Sequence, residues 1–438
     1  MDAPLFRSRR EFLRTTLLGG AVSWTVPGFL HATISSLTAH AADAALPVAN
    51  GKDGTILVVL QLAGGNDGLN TVIPVENDFY YEARPHLAIA KDAALRLADG
   101  VGLHPSLPGL KSLYDDGLLS IVQGVGYPNP NRSHFRSMEI WQTASDANRA
   151  ELYGWIGRFF DNQCAGLDAS AGVAFGNEAP QSFTAQHPKG VTFASPRQFR
   201  RLPGGMNEQD EELFQRMNNM SDGAAGGSID SLAGGHNNRH REERPIDFLE
   251  RTALDAQVSS DRIRKLSNTA TKTTFPGSKV GRDMELIAKL IGGGMPTRVY
   301  YVSHGGFDTH ANQLGSHERL LREFGDAMKA FMDEMKAQGN HQRVAVLGFS
   351  EFGRRVAENA SNGTDHGAAA PVFIAGGRFP AGLHGAMPSL EPGQLDRGDL
   401  RHAIDFRSVY ATLLEGHLAA PSAPILGRAF PLIGPASA

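Results

Sequence analysis

Four short stretches of the 438-residue chain place carboxylates and imidazoles next to glycines. They are Gly64-Gly65-Asn66-Asp67-Gly68, His304-Gly305-Gly306-Phe307-Asp308-Thr309-His310, Ser350-Glu351-Phe352-Gly353-Arg354-Arg355 and Asp365-His366-Gly367. Carboxylates mixed with imidazoles suit Zn or Mn, whereas carboxylates with few imidazoles suit Mg or Ca. The candidate ligands are Asp67, Asp308, His310, Glu351 and His366. Glycines allow sharp turns and close backbone approach to a bound ion. Two divalent ions could hold the attacking and the leaving oxygen of an ester displacement.

Such a displacement needs a nucleophile, and Asn131-Arg132-Ser133-His134-Phe135-Arg136-Ser137 offers one. Ser133 opens an expected helix, where backbone N–H groups and the helix dipole favour an anion. It is either a plain helix cap or a nucleophile whose hydroxyl a metal would acidify. Arg132 and Arg136 could grip phosphate or sulfate oxygens as bidentate donors. His134 is a ligand or a general acid. Glu351 and Arg354 are read either as site residues or as a structural ion pair. His86, His236, His240, His341 and His417 lie outside these stretches and are read as solvated or structural.

These side chains need a scaffold that brings distant segments together. Apolar, β-branched runs bounded by turn residues predict strands over Thr55–Leu62, Leu118–Gln123, Arg298–Ser303, Arg343–Phe349 and Pro371–Ala375. Helical spacing covers Leu107–Asp116, Ser133–Thr143, Asn207–Met217, Pro245–Leu266, Asp283–Ile291, Ser316–Gln338 and Phe406–Leu414. Strand and helix alternate, which predicts a doubly wound, mostly parallel α/β sheet with helices on both faces. In such sheets ligands bind at the carboxyl ends of strands, and the four stretches are expected there. Ser221–Glu243 is polar and glycine-rich and reads as a mobile insertion or lid.

The first residues read as an address. Ser8-Arg9-Arg10-Glu11-Phe12-Leu13-Arg14 precedes an uncharged apolar stretch, Leu17–Leu30, and Ala39-His40-Ala41 forms a small-x-small exit. That pattern predicts a twin-arginine signal peptide over 1–41 and a mature domain over 42–438. The expected compartment is periplasmic or extracellular. A net charge of −4 gives no electrostatic case for nucleic acid. No later apolar run is long enough for a stable membrane span. With one cysteine, Cys164, the chain has no internal disulfide.

Taken together, the motifs from Thr55 onward resemble the domain-of-unknown-function family numbered 1501, within the alkaline phosphatase and sulfatase superfamily. The resemblance implies an alkaline phosphatase-like fold with one or two metal positions and a covalent intermediate. It implies Ser133 as nucleophile, Asp67 as the first-strand metal carboxylate, and Asp308, His310 and His366 around one ion. Glu351 stands where an Asp-His pair is usual, so one position differs. No Cys-x-Pro-x-Arg signature is present, which argues against a formylglycine sulfatase. The implied activity is hydrolysis of a small anionic phosphate or sulfate ester or glycan. The alternatives are a non-catalytic envelope binding or assembly protein and a phosphomutase.

Overall fold

A computed structural model of the chain describes residues 54–164, 167, 169–187, 189–194 and 261–434. The expected signal peptide (1–41), the helix expected over Asn207–Met217, the polar insertion (221–243) and most of the helix expected over Pro245–Leu266 lie outside these residues.

β1 (Ile56–Ala63) is the first described strand in the chain, and its apolar residues alternate between two cores. Ile56, Val58, Leu60 and Leu62 pack into one apolar cluster, and Leu57 and Val59 into another. A strand with both faces buried must lie at the centre of a layered α/β domain. The remaining strands are β2 (Val72–Pro74), β3 (Leu95–Ala98), β4 (Val101–Leu103), β5 (Leu119–Gly126), β6 (Gly172–Phe175), β7 (Val191–Phe193), β8 (Val299–Gly305), β9 (Val344–Phe349), β10 (Ala370–Gly376), β11 (Gly382–His384) and β12 (Ile404–Asp405). Nine of them make one sheet in the order β11-β5-β10-β9-β1-β8-β6-β7, with β12 also paired to β5. β2, β4 and β3 form a small separate sheet.

The helices cover the two faces. α1 (Gly68–Thr71) is a single turn after β1, and α2 (Pro108–Asp115), α3 (His134–Thr143) and α4 (Trp155–Gln163) follow. α5 (Lys279–Gly292) and the long α6 (Gln313–Gln338) bury Met284, Ile287, Leu321, Phe324 and Met328 in the first cluster. α3, α4 and α7 (Phe406–Thr412) bury Trp141, Phe159, Phe160 and Tyr410 in the second. The mixed α/β architecture with a mostly parallel central sheet is therefore the one the sequence predicts.

The sheet is not wholly parallel, and the exception shapes the site. β1 pairs parallel with β8 and β9, whereas β10 runs antiparallel to both β9 and β5. Asp365-His366-Gly367 precedes β10, so in a fully parallel sheet it would fall at the opposite edge. Because β10 is reversed, its beginning lies at the edge where β1, β8 and β9 end. No helix among the described residues is long and apolar enough to cross a membrane.

Candidate metal centre

The loops at this edge are locked before any ligand is considered. Ser350 donates to Leu62 O at 2.6 Å and accepts from Asn66 N at 2.8 Å. Gly64 has φ +121°, and a Cβ there would lie 2.4 Å from Asp308 N. Only glycine lets the loop after β1 pass so close to the loop after β8. Arg354 is fully buried and gathers three loops. Its Nε donates to Gly65 O (2.6 Å), its Nη1 to Thr364 O (2.7 Å), and its Nη2 to Phe307 O (2.9 Å), to Asp308 Oδ1 (2.7 Å) and to Gly64 O.

Asp308 is the focus of the edge. His310 Nε2 and His366 Nε2 each lie 3.0 Å from its Oδ1, and His134 Nε2 lies 3.4 Å from its Oδ2. The Nε2 atoms of His310 and His366 are 3.0 Å from each other. Ligand atoms of His134, Asp308 and His366 all fall within 4.8 Å of one another. Partial burial alone would raise the Asp308 pKa, but hydrogen bonds from His366 and Arg354 outweigh it and hold the carboxyl at about 2.

The other ring nitrogen of each histidine has its own acceptor. His134 Nδ1 meets Glu351 Oε1 at 2.9 Å, His310 Nδ1 meets Asp365 Oδ1 at 3.3 Å, and His366 Nδ1 meets Arg132 O at 2.8 Å. A neutral imidazole has one N–H, so each ring can carry it on Nδ1 when a cation takes the Nε2 lone pair, or on Nε2, as in the His366 bond to Asp308, when none is bound. In the first arrangement three Nε2 lone pairs and one carboxylate face a common point, which a cation would hold together. Donor atoms about 2.0–2.1 Å from a tetrahedral Zn²⁺ sit about 3.3 Å apart, close to the spacing seen here. Carboxylate and carbonyl partners on the far ring nitrogen are likewise the usual support of metal-bound histidine. The donor set fits a divalent metal of the zinc or manganese class better than Ca or Mg.

The candidates from the sequence fall into three groups. Asp308, His310 and His366 converge, and His134 joins them. Glu351, buried and bound by Gly64 N at 2.8 Å, stands behind His134 and does not pair with Arg354. Asp67 and Arg136 stand apart. Asp67 is fully buried, its Oδ1 accepting from Asn70 N and its Oδ2 paired with Arg84 Nη1 at 2.7 Å and Gln313 Nε2 at 2.5 Å. Burial would raise its pKa, but Arg84, His317 and these bonds bring it below the usual value. Both Asp67 oxygens are thus engaged by Asn70, Arg84 and Gln313, and the side chain anchors the loop after β1. Arg136 turns away, donating to Ala147 O and Arg149 O and pairing with Glu139. Asp365 was not singled out as a site residue from the sequence; its adjacency to His366 was the available signal.

Ser133 is the N-cap residue of α3 and is exposed, yet its hydroxyl makes no capping bond. Its chain neighbours both touch the cluster, Arg132 through its carbonyl and His134 through its ring. Phe352 packs against the rings of His134 and His366, with centroids 4.9 and 4.5 Å away.

Solved structures resemble this chain at low identity. A protein of the alkaline phosphatase superfamily from Vibrio parahaemolyticus is 10% identical, with 91% of this chain and 77% of that one covered at a TM-score of 0.34. A sulfatase from a Pseudoalteromonas species is 9% identical, with 86% and 68% covered at 0.34. The lipoteichoic acid synthase from Listeria monocytogenes is 9% identical, with 76% and 68% covered at 0.33. No curated protein matches the chain. A family model does match, from the start of β1 almost to the end of the chain. Over residues 55–432 the chain belongs to the family described as Protein of unknown function (DUF1501).

Proposed function

We propose that the protein is an exported, metal-dependent hydrolase of phosphate or sulfate esters that uses Ser133 as its nucleophile. The observation that carries the reading is the convergence of three Nε2 atoms on Asp308, each ring held from behind at Nδ1. His134, His310, His366 and Asp308 would hold the ion. A bound divalent cation supplies Lewis acidity, polarising an ester oxygen and lowering the pKa of a nearby hydroxyl.

The chain's own groups do the rest. The first turn of α3 directs backbone N–H groups and the positive end of the helix dipole at an incoming oxyanion. Ser133 Oγ attacks phosphorus or sulfur, the bond to the ester oxygen breaks, and the alcohol leaves. Water then cleaves the seryl ester and regenerates the hydroxyl. Glu351 fixes the His134 ring, and Arg354 fixes Asp308, so neither reorients during turnover. The signal read over 1–41 assigns the protein to the twin-arginine export machinery and to the periplasm or cell exterior. Folded export suits a protein that takes its metal before crossing. The substrate is a small anionic ester or glycan.

Metal analysis of protein exported from its native host tests the reading. The wild-type chain is expected to carry a stoichiometric divalent ion that Asp308→Asn and His366→Ala abolish. Ser133→Ala should keep the ion and the fold while losing turnover on a phosphate and sulfate ester panel at least a thousandfold. A metal-free wild type, or full activity in Ser133→Ala, would refute the proposal. Retained ligand binding without turnover in both chains would favour the binding-protein alternative.

A further inference from the structure

Beside the metal centre, two arginines meet on one buried acid. Arg132 Nη2 pairs with Asp399 Oδ2, and Arg355 Nε lies 3.7 Å from Asp399 Oδ1. The Asp399 side chain is 2% exposed, whereas those of Arg132 and Arg355 are 39% and 38% exposed. Both arginines flank His366. Arg132 O accepts from His366 Nδ1, Arg354 forms a backbone bridge with His366, and Arg355 N donates to Asp365 O at 2.9 Å. Their guanidinium groups thus meet on Asp399, while their backbones adjoin the cluster.

We infer that Arg132 and Arg355, held by Asp399, form a subsite for a second oxyanion of the substrate, distinct from the group that reacts. Asp399 faces both guanidinium groups, with Asp365 also acting on Arg355 and Asp396 on Asp399, so recognition would rest on the two planar forks rather than on a net charge. Asp399 fixes Arg132 in advance through a hydrogen bond and draws Arg355 to 3.7 Å, which reduces the ordering that anion binding would otherwise require. Each guanidinium keeps N–H groups beyond those facing Asp399, in the planar fork that matches sulfate and phosphate oxygens. The ligand class is an ester bearing more than one sulfate or phosphate group. In its pairing with a reacting group the inference rests on the hydrolase reading, but anion capture at the rim does not require a metal.

The experiment uses that independence. The full-length chain, treated with chelator, and separately its Asp308→Asn variant, are titrated calorimetrically with inorganic sulfate and inorganic phosphate at low ionic strength. Both anions are expected to bind once per chain. Arg355→Gln should weaken binding about tenfold, the loss expected for one charge-assisted hydrogen bond, and Arg355→Lys should recover part of it. A preference for one anion identifies which ester the rim serves. Absence of anion binding in the metal-free chain, or equal affinity in Arg355→Gln, overturns the subsite. If the wild type holds no metal and sulfate binding still depends on Arg355, the hydrolase reading fails and the subsite stands.

Discussion

Replacing Arg354 by lysine keeps the buried charge and removes the fork. In the native protein three nitrogens serve five acceptors in three loops: Gly64 O, Gly65 O, Thr364 O, Phe307 O and Asp308 Oδ1. An ammonium has three protons on one nitrogen and cannot reach acceptors that surround a planar group. At least two contacts are lost. A hydrogen bond to a charged group contributes about 1.5–3 kcal/mol net, so two give at least about 3 kcal/mol. Phe307 O retains Thr309 N as a donor, and Asp308 is half exposed, so these two acceptors lose least. The carbonyls of Gly64, Gly65 and Thr364 carry the cost. Urea unfolding followed by tryptophan fluorescence measures it as the midpoint shift multiplied by the slope, with the slope fitted for each chain. A loss below about 0.5 kcal/mol, the scale of an ordinary surface change, would show that this guanidinium does not hold the three loops together.

Three further outcomes follow from neighbouring groups. His317 and His417 are buried, and burial brings the pKa of each from 6.5 to about 4. Between those values the unfolded chain takes up protons that the folded chain refuses, so stability falls as pH drops from 6.5 to 4 and levels off below. Each histidine accounts for up to about 3 kcal/mol, and His317→Gln should flatten the profile in a urea series at several pH values. Gly65 has φ +79°, and a Cβ there would lie 2.3 Å from the Phe352 ring, so Gly65→Ala should cost about 1–3 kcal/mol and lower metal content. Arg84→Met leaves Asp67 buried and unpaired, and thermal unfolding should register a loss of about 3–5 kcal/mol.

Much of the fold was legible because buried strands announce themselves. Thr55–Leu62, Arg298–Ser303 and Arg343–Phe349 are apolar on both faces, and the observed β1, β8 and β9 differ from them by a residue or two at their ends. The long helix read from Ser316 begins earlier, at Gln313, because Gln313 is buried and bonded to Asp67, Thr309 and Thr364 rather than solvated. Strand direction was not legible. Nothing in the composition of Pro371–Ala375 distinguishes a reversed strand from a parallel one, since both are buried on two faces. Direction depends on where the chain enters, which is a property of the connections.

The site could be only half read for a different reason. Motif type singled out Asp308, His310 and His366, and these three side chains do come together. It could not separate Asp67 from them, because a metal carboxylate and a carboxylate buried against arginine present the same residue type. The partner decides, and Arg84 lies seventeen positions downstream, in a stretch with no motif of its own. His134 shows the converse. Next to a candidate nucleophile it reads as an acid or a ligand with equal ease. Only with Glu351 behind one ring nitrogen and Asp308 before the other does its lone pair acquire a direction. The second layer of residues around this cluster therefore carries information that the first layer lacks. Glu351→Gln tests that claim directly. A glutamine can still contact His134 Nδ1 but can offer its N–H there instead of an acceptor, which would turn the ring proton toward Asp308. Metal affinity should then fall about 10–100-fold with little loss of stability. Unchanged affinity would mean that the ring is oriented by Phe352 packing alone.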